Sequence, residues 1–278
     1  MRLVVRFAIY RPVIVTICLT TSLIALFLPC FSYYEDPETS VKYYSDISIR
    51  QWAIIVGVSQ YECYNLDTRY ADNDARDLYT RIAQYYLEDH IKLLLNSEAT
   101  KPEIQSVICS WLASRISIDD SVLVFFACHG NCNYLQMSNS IQGNSNDDIA
   151  PSELVSWLDT LNTENVCLIM DVCESGCYGQ NIQKNGYTLI TGGTGNEKCW
   201  QEAKYKHGIL SYYLIEAFNH FEDVNGNNDN EISAQELFYY MQAKMTTEFQ
   251  SYPPPSPQHP QIMNYHIGEF LLFVLPTH

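Results

Sequence analysis

Residues 121–130 read SVLVFFACHG, and residues 166–176 read VCLIMDVCESG. Each stretch begins with a continuous apolar run, and glycine follows each run within a few residues. An uninterrupted apolar run of this length is typical of a strand that is covered on both faces of a parallel sheet. We therefore predict strands over Val122–Cys128 and Val166–Val172.

The same pattern of a short apolar run, a turn and a helical segment repeats from residue 51 onward. Further strands are predicted over Trp52–Val58, Ile91–Leu95, Tyr187–Thr191 and Phe270–Val274. Helices are predicted near residues 72–85, 101–116, 151–162, 207–219 and 233–248. Alternating strands and helices form an α/β fold in which helices cover both faces of a mostly parallel sheet, and ligands bind at the carboxyl ends of the strands.

The composition excludes several classes of protein. Hydrophobic residues make up 47% of the 278 residues and charged residues 17%, which excludes a disordered chain. Lys and Arg number 16 against 32 Asp and Glu, so the formal net charge is −16. Because an acidic surface repels phosphate backbones, we expect no nucleic-acid partner.

The first thirty residues differ from the rest of the chain. Residues 1–12 carry three arginines and no acid, and residues 13–28 are apolar and uncharged. A positive flank before an apolar run is typical of an export signal, and this run is slightly shorter than the roughly 20 residues of a transmembrane helix. We predict that residues 1–30 are a signal peptide or a membrane anchor that attaches through residues 13–28, and that residues 31–49 are a linker. The remainder would be secreted or membrane-anchored outside the cytoplasm, because positive flanks stay inside. The alternative is a buried first helix.

Reactive side chains follow both of the strands quoted first. His129 and Gly130 come directly after one strand, and Cys173 follows the other. Because parallel strands end at the same edge of a sheet, we expect the imidazole and the thiol to meet there. A thiol attacks a carbonyl carbon as the thiolate, and the oxyanion that forms needs N–H donors, for which Gly130 N–H and Cys173 N–H are the candidates. The alternative is that Cys173 only packs in the core, as cysteines commonly do.

The chain resembles the caspase–metacaspase–legumain superfamily of cysteine endopeptidases, and its prokaryotic caspase-like and metacaspase members most. The matching segments are residues 52–58, 73–75, 99–101, 125–130, 171–176 and 207–214. The resemblance implies a caspase-like three-layer sandwich whose mostly parallel sheet has about six strands. It implies one peptidase domain over residues 50–278, with a larger part over residues 50–185 and a smaller part over residues 186–278. It further implies an endopeptidase in which Cys173 is the nucleophile and His129 the general acid and base, with no cofactor required for the chemistry.

The resemblance to metacaspases also implies a pocket for a basic side chain. In that family the pocket is lined by the Asp two residues before the cysteine and by an Asp in the Asn-Asp-Ala segment, and these positions are Asp171 and Asp74 here. Trp200 lies in the segment that forms one wall of the family's cleft. We therefore predict protein or peptide substrates that are cleaved after Arg or Lys. The alternatives are that Asp74 only complements a helix dipole, that Asp171 only braces a loop, and that the chain is a legumain-like asparaginyl peptidase or ligase.

A segment rich in Asn and Asp has the spacing of an EF-hand calcium loop. Its candidate ligands are Asn225, Asn227, Asp229, Glu231 and Glu236. The alternative is a polar turn followed by a helix that is capped at Ser233. A second calcium candidate is Asp147-Asp148, which resembles part of a metacaspase site, although Gln180 stands where a further carboxylate would be needed. If the chain binds calcium, an alternative function is that of a catalytically inactive, calcium-dependent binding module.

Eight cysteines lie beyond residue 30, and export permits disulfides. Short-range pairing offers Cys128–Cys132 or Cys173–Cys177, of which the second would block the nucleophile. A zinc site built from Cys128, His129, Cys132 and Cys177 is a further alternative.

Basic residues after the nucleophile are candidate self-cleavage sites. They are Lys184, Lys198, Lys204 and Lys206.

Overall fold

The computed structural model of the protein describes residues 50–182, 187–218, 229, 231–265 and 268–274. Within them, the main sheet contains β1 (Gln51–Gly57), β2 (Ile91–Leu95), β3 (Ser121–Ala127), β6 (Val166–Asp171), β7 (Tyr187–Thr191) and β11 (Gln261–Asn264). Smaller pairs are β4 (Leu135–Gln136) with β5 (Asp148–Ile149), β8 (Gln201–Glu202) with β9 (His207–Gly208), and β10 (Glu231–Ser233) with β12 (Leu271–Val274). The helices are α1 (Ala71–Ile82), α2 (Lys101–Ser106), α3 (Pro151–Leu158), α4 (Ser175–Gln180), α5 (Ile209–Ala217) and α6 (Ala234–Ser251). Short 3₁₀ turns cover Tyr64–Leu66, Glu88–His90 and Asn96–Glu98, and a π-helical segment, Val107–Leu112, continues α2.

The main sheet has the strand order β11-β7-β6-β3-β1-β2. Neighbouring strands run parallel except β11, which runs antiparallel to β7. Every residue of β1, β6 and β7 is buried. Burial on both faces is the reason that these strands are apolar without alternation.

Alternate residues of each strand face two different helical layers, as the pleat of a strand requires. Ile54 and Val124 pack with α2, its π-helical continuation, α3 and α4 on one face. Ile55 and Phe125 pack with α1, α5 and α6 on the other face. The predicted α/β sandwich with a mostly parallel, six-stranded sheet is therefore confirmed.

One predicted strand occupies a different place. The strand expected over Phe270–Val274 forms as β12, but it pairs with β10 rather than with the main sheet. Leu272 and Phe273 of β12 are buried against the layer of α1, α5 and α6, which accounts for its apolar sequence. The sixth strand of the main sheet is β11, which the sequence did not indicate because its residues are only partly buried and show no apolar run.

Helix starts follow side-chain signals in the sequence. At the start of α2, Thr100 Oγ1 accepts a hydrogen bond from Glu103 N at 3.3 Å, and Pro151 occupies the first turn of α3 as predicted. The helix α4, directly after the candidate nucleophile, was not predicted. It has only six residues and contains two glycines, so it shows no helical periodicity.

Among the described residues, no helix is both long enough and apolar enough to cross a membrane. The predicted signal peptide or anchor over residues 1–30 and the linker over residues 31–49 lie outside the described part of the chain. The predicted division between a larger and a smaller part falls at residues 183–186, which also lie outside it.

Ser233 caps α6 through a reciprocal pair of hydrogen bonds. Ser233 Oγ accepts one from Glu236 N at 3.2 Å, and Glu236 Oε2 accepts one from Ser233 N at 2.9 Å. We expect Ser233→Ala to lower the free energy of unfolding by about 1 kcal/mol, because a helix N–H loses its acceptor. Urea denaturation measures this change, and Ser251→Ala at the exposed end of the same helix is the matched control. Equal stability of the two variants would contradict the capping role.

Candidate active site

The register of two central strands places the reactive residues at one edge of the sheet. Ala127, the last residue of β3, pairs with Asp171, the last residue of β6. His129 and Cys173 each follow two residues after these paired ends. The strand pairing therefore brings both residues to the same carboxyl edge of the sheet, as predicted.

Gly130 brings the segment after β3 against the segment after β6. A Cβ atom built on Gly130 would lie 2.4 Å from Val172 Cγ1 and 2.8 Å from the carbonyl oxygen of Tyr134. Only glycine leaves room for this approach, because real Cβ contacts are longer. The residue after the candidate base therefore packs on the residue before the candidate nucleophile.

The main chain of His129 is fixed on two sides. Its N–H donates to Tyr61 Oη at 2.9 Å, and its carbonyl oxygen accepts from Gln136 N at 2.9 Å. Burial lowers the pKa of His129, while a hydrogen bond to the main chain of Leu66 opposes that shift. A lowered pKa favours the neutral imidazole near pH 7, which is the form that accepts a proton.

Cys173 carries a free, half-buried thiol. Its Sγ lies 4.0 Å from the carbonyl oxygen of Cys199. Burial raises the pKa of Cys173, the contact with Cys199 lowers it, and the charge of Asp171 raises it again. The thiolate therefore needs a base that removes the proton or a cation that offsets Asp171.

A left-handed residue turns the chain directly after Cys173, the candidate nucleophile. Glu174 has φ 57°, and its N–H donates to the carbonyl oxygen of Glu197 at 2.7 Å. Residues other than glycine adopt this conformation at a cost of order 1–3 kcal/mol, and such strain is concentrated at functional sites. The bend ends β6 and begins α4, so Cys173 lies at the tip of a sharp strand-to-helix turn. Sequence reasoning missed this turn because Glu is not a residue typical of left-handed backbone.

The two predicted pocket carboxylates converge on Gly208. A Cβ atom on Gly208 would lie 2.1 Å from Asp171 Oδ2 and 3.3 Å from Asp74 Oδ2. Gly208 N donates to the Asp74 carboxylate at 3.1 and 3.2 Å. Asp171 Oδ2 accepts from Ser211 N at 3.0 Å and from Ser211 Oγ at 2.7 Å. The structure thus brings Asp74 and Asp171 together around one main-chain segment, with both side chains buried.

His207 is a site residue that the sequence analysis missed. Its Nδ1 lies 2.7 Å from Asp74 Oδ1, and its Nε2 lies 3.3 Å from Asp77 Oδ2. The signal that could have found it is its position next to Gly208, in a segment already matched to the family. Lys206 precedes it with φ 58°, and this left-handed turn directs the chain back toward α1.

Burial and mutual contacts shift the pKa values of His207 and of the carboxyl groups near it. Burial raises the pKa of Asp74 to about 7, although its hydrogen bond with His207 opposes the rise. Burial lowers the pKa of His207, but its contacts with Asp74 and Asp77 outweigh that effect and raise it above its ordinary value. Burial likewise raises the pKa of Asp171. The raised pKa of His207 favours the imidazolium, which would offset the charge of one of the two buried carboxylates.

Trp200 lies beside the same segment. Its carbonyl oxygen accepts from Ile209 N at 2.9 Å, and its indole Nε1 donates to the carbonyl oxygen of Ser256 at 3.0 Å. Its main-chain N–H donates to Gln258 Oε1 at 3.0 Å. The proline-rich loop around Ser256 therefore holds the indole ring, which agrees with a fixed wall near the pocket.

The disulfide pattern differs from both predicted alternatives. Cys132 is bonded to Cys177, with their Cα atoms 4.9 Å apart, whereas Cys128 and Cys173 are free. Sequence spacing favoured the short-range pairs, but the strand pairing brings Cys132 and Cys177 together across the sheet edge. The alternative zinc site is contradicted, because Cys132 and Cys177, two of its four ligands, are bonded to each other.

The predicted calcium ligands are only partly described. Asn225 and Asn227 lie outside the described residues, and Asp229 Oδ1 accepts from Glu231 N at 2.9 Å. Glu236 is engaged with Ser233, so the helix capped at Ser233 is confirmed, whereas most of the polar turn expected before it lies outside the described residues. No group of three or more His, Cys, Asp and Glu side chains arranged to hold a metal occurs in the described part of the chain.

A family model for the caspase domain matches residues 50–269, which is most of the chain. The chain belongs to the caspase-domain family. The crystal structure of caspase-1 from Spodoptera frugiperda is similar to this caspase-domain protein with a TM-score of 0.59 and 15% sequence identity, over 82% of this chain and 92% of that chain. At that identity the likeness concerns the fold. No curated protein matches the chain. The resemblance to caspase-like cysteine peptidases is therefore confirmed.

Gly208→Ala tests the close packing of the pocket. The added methyl group would meet the buried Asp171 carboxylate, so we expect the free energy of unfolding to fall by about 1–3 kcal/mol. Gly195→Ala is the matched control, because its Cβ atom would make only an ordinary contact at 3.4 Å with Cys177. Urea denaturation compares the two variants. A Gly208→Ala variant as stable as Gly195→Ala would show that the carboxylate is not packed against this main chain.

Proposed function

We propose that this caspase-domain protein is an endopeptidase that hydrolyses peptide bonds after Arg or Lys through a Cys173/His129 dyad. The observation that carries the proposal is the pairing of β3 with β6, which sets both residues two positions beyond the paired strand ends. The packing of Gly130 on Val172 adds a direct contact between the two segments. The family's cysteine-peptidase character agrees with this assignment.

In the proposed hydrolysis, the dyad and the two N–H groups have defined roles. His129, neutral because burial lowers its pKa, accepts the proton of the Cys173 thiol. The thiolate attacks the carbonyl carbon of the scissile bond, and the N–H groups of Gly130 and Cys173 stabilise the oxyanion. The imidazolium then protonates the leaving amine. Water, deprotonated by His129, hydrolyses the acyl-enzyme and restores the thiol.

The buried carboxylates support the choice of a basic substrate side chain. Asp74 and Asp171 both face Gly208, and Asp171 raises the pKa of Cys173. A guanidinium or ammonium group that pairs with Asp171 removes this effect, so the bound substrate favours the thiolate that attacks it. A substrate with an acidic side chain would bring a further negative charge beside two carboxylates of which His207 offsets at most one, which disfavours cleavage after Asp.

A second candidate is cleavage after Asn, and one observation favours it. His207 already pairs with Asp74 at 2.7 Å, which leaves less negative charge for an incoming cation. A neutral amide could then accept a hydrogen bond from the imidazole and donate one to a carboxylate.

A peptide panel tests activity and specificity together. We expect purified protein to cleave fluorogenic peptides with Arg or Lys before the scissile bond faster than those with Asn or Asp. Cys173→Ala should reduce kcat/KM by at least about 10³-fold because no nucleophile remains. Cys109→Ala, which removes another free and half-buried thiol, is the matched control and should retain activity. Faster cleavage after Asn supports the second candidate, and absence of cleavage in all peptides supports an inactive binding module.

The pH dependence of specificity tests the role of Asp74. The ratio of kcat/KM for an Arg peptide to that for an Asn peptide cancels the titration of the dyad, which acts on both substrates. Because the pKa of Asp74 is raised to about 7, its carboxylate is ionised above that pH and neutral below it. We therefore expect the ratio to rise as the pH increases through about 7, and to lose this dependence in Asp74→Asn. A flat ratio in the wild-type protein would contradict a recognition role for this carboxylate.

A further inference from the structure

A covalent bridge joins the two segments that carry the candidate dyad. Cys132 lies three residues after His129, in the loop that follows β3, and Cys177 lies four residues after Cys173, in α4. Their disulfide spans 45 residues of sequence. It therefore links the base-bearing loop directly to the helix that begins behind the nucleophile.

Other contacts between the two segments are weaker. Cys132 N donates to Glu174 Oε2 at 3.3 Å, and Asn181 Nδ2 donates to the carbonyl oxygen of Cys132 at 3.4 Å. Both distances are long for hydrogen bonds, and both bonds lie at partly or fully exposed positions where water competes. The packing of Gly130 on Val172 adds only the van der Waals contact of a glycine with one valine side chain. The disulfide is thus the strongest restraint against separation.

We propose that the Cys132–Cys177 disulfide is a clamp that positions His129 relative to Cys173, so that full turnover requires the intact bridge. This inference rests on the proposed function. A displacement of about 1 Å between reacting groups can reduce the rate about 100-fold, so a restraint three and four residues from the dyad acts on kcat. The clamp also keeps the Cys177 thiol from pairing with the nucleophile four residues before it.

The clamp should act on turnover rather than on substrate binding. Asp74 is in α1 and Asp171 ends β6, so neither pocket carboxylate lies in the two bridged segments. Both cysteines of the bridge are half-buried, so a small thiol reagent can reach them. A bridge that only stabilised the folded state would leave kcat unchanged well below the unfolding temperature.

The test compares two double variants of the full chain. We expect Cys132→Ser/Cys177→Ser to show kcat lowered about tenfold or more and KM within about twofold of wild type for an Arg peptide. Cys63→Ser/Cys109→Ser, which removes two free thiols elsewhere, is the matched control and should keep both constants. Thermal unfolding is recorded for each variant so that kcat is compared where all are folded. An unchanged kcat in the first variant would overturn the clamp.

Reduction of the wild-type protein gives an independent measurement. Dithiothreitol transfers two electrons and two protons to the bridge, which becomes two thiols, while the reagent becomes a cyclic disulfide. We expect kcat of wild type to fall as mass spectrometry shows the bridge opening, and to return on reoxidation, whereas the control double variant behaves like wild type. If the bridge-free variant does not fold, the reduction of folded wild-type protein is by itself a sufficient test of the clamp. A kcat that stays constant or rises when the bridge opens would overturn the proposal.

A readout without substrate separates the clamp from the peptidase proposal. Iodoacetamide alkylates thiolates, and its rate at Cys173 against pH, resolved from that at the other thiols by peptide mass spectrometry, reports the influence of His129 on the Cys173 thiol. We expect opening of the bridge to slow this reaction at least about fivefold near pH 7, because a displaced His129 no longer takes the proton of the Cys173 thiol. Alkylation that depends on the bridge in a protein that cleaves no peptide would retain the clamp and reject the peptidase. Alkylation that does not depend on it would reject the clamp.

Discussion

The parallel pairing of β3 with β6 is the constraint on which the site depends. Both strands are almost wholly buried, and they pair without a register shift over six residues of each. With Ala127 opposite Asp171, every residue after the two strand ends is delivered to one edge. A slip of one residue would turn Asp171 away from Ser211 and bury the wrong set of side chains in each helical layer. The chemistry at the edge is therefore a consequence of core packing.

Charge balance is the second organising feature of this edge. The chain as a whole has a net charge of −16, and two of its carboxylates are buried close together beside a thiol. Such a cluster is stable only if N–H donors and a cation satisfy it. Gly208 and Ser211 supply the donors, and His207 supplies the cation. His207 therefore offsets at most one of the two negative charges, and Asp74 is already paired with an imidazole before any other group approaches it.

Much of the fold could be predicted from the sequence because burial on both faces leaves an unmistakable apolar run. The starts of α2 and α3 could be predicted because Thr100 and Pro151 are local signals. β11 and α4 could not, since a half-buried edge strand and a six-residue helix leave no periodic pattern. The positions of the segments with His129 and Cys173 could be predicted from the strand ends. The contacts of His207 and the Cys132–Cys177 bridge could not, because they join segments that are distant in sequence. The spacing of the cysteines along the chain suggested short-range disulfides, but the strand order of the sheet brings Cys132 and Cys177 together instead.

The bridge also makes a covalent ring of the chain from Cys132 to Cys177. This ring encloses β4, β5, α3 and β6, and also Cys173 itself. Closing a ring of 45 residues reduces the freedom of the unfolded chain, which corresponds to about 4 kcal/mol in the chain-entropy model. A single cut anywhere inside the ring opens it without releasing a fragment. Cys173 thus stays attached to the loop that carries His129 after nicking, and such a molecule would separate into pieces only on reduction.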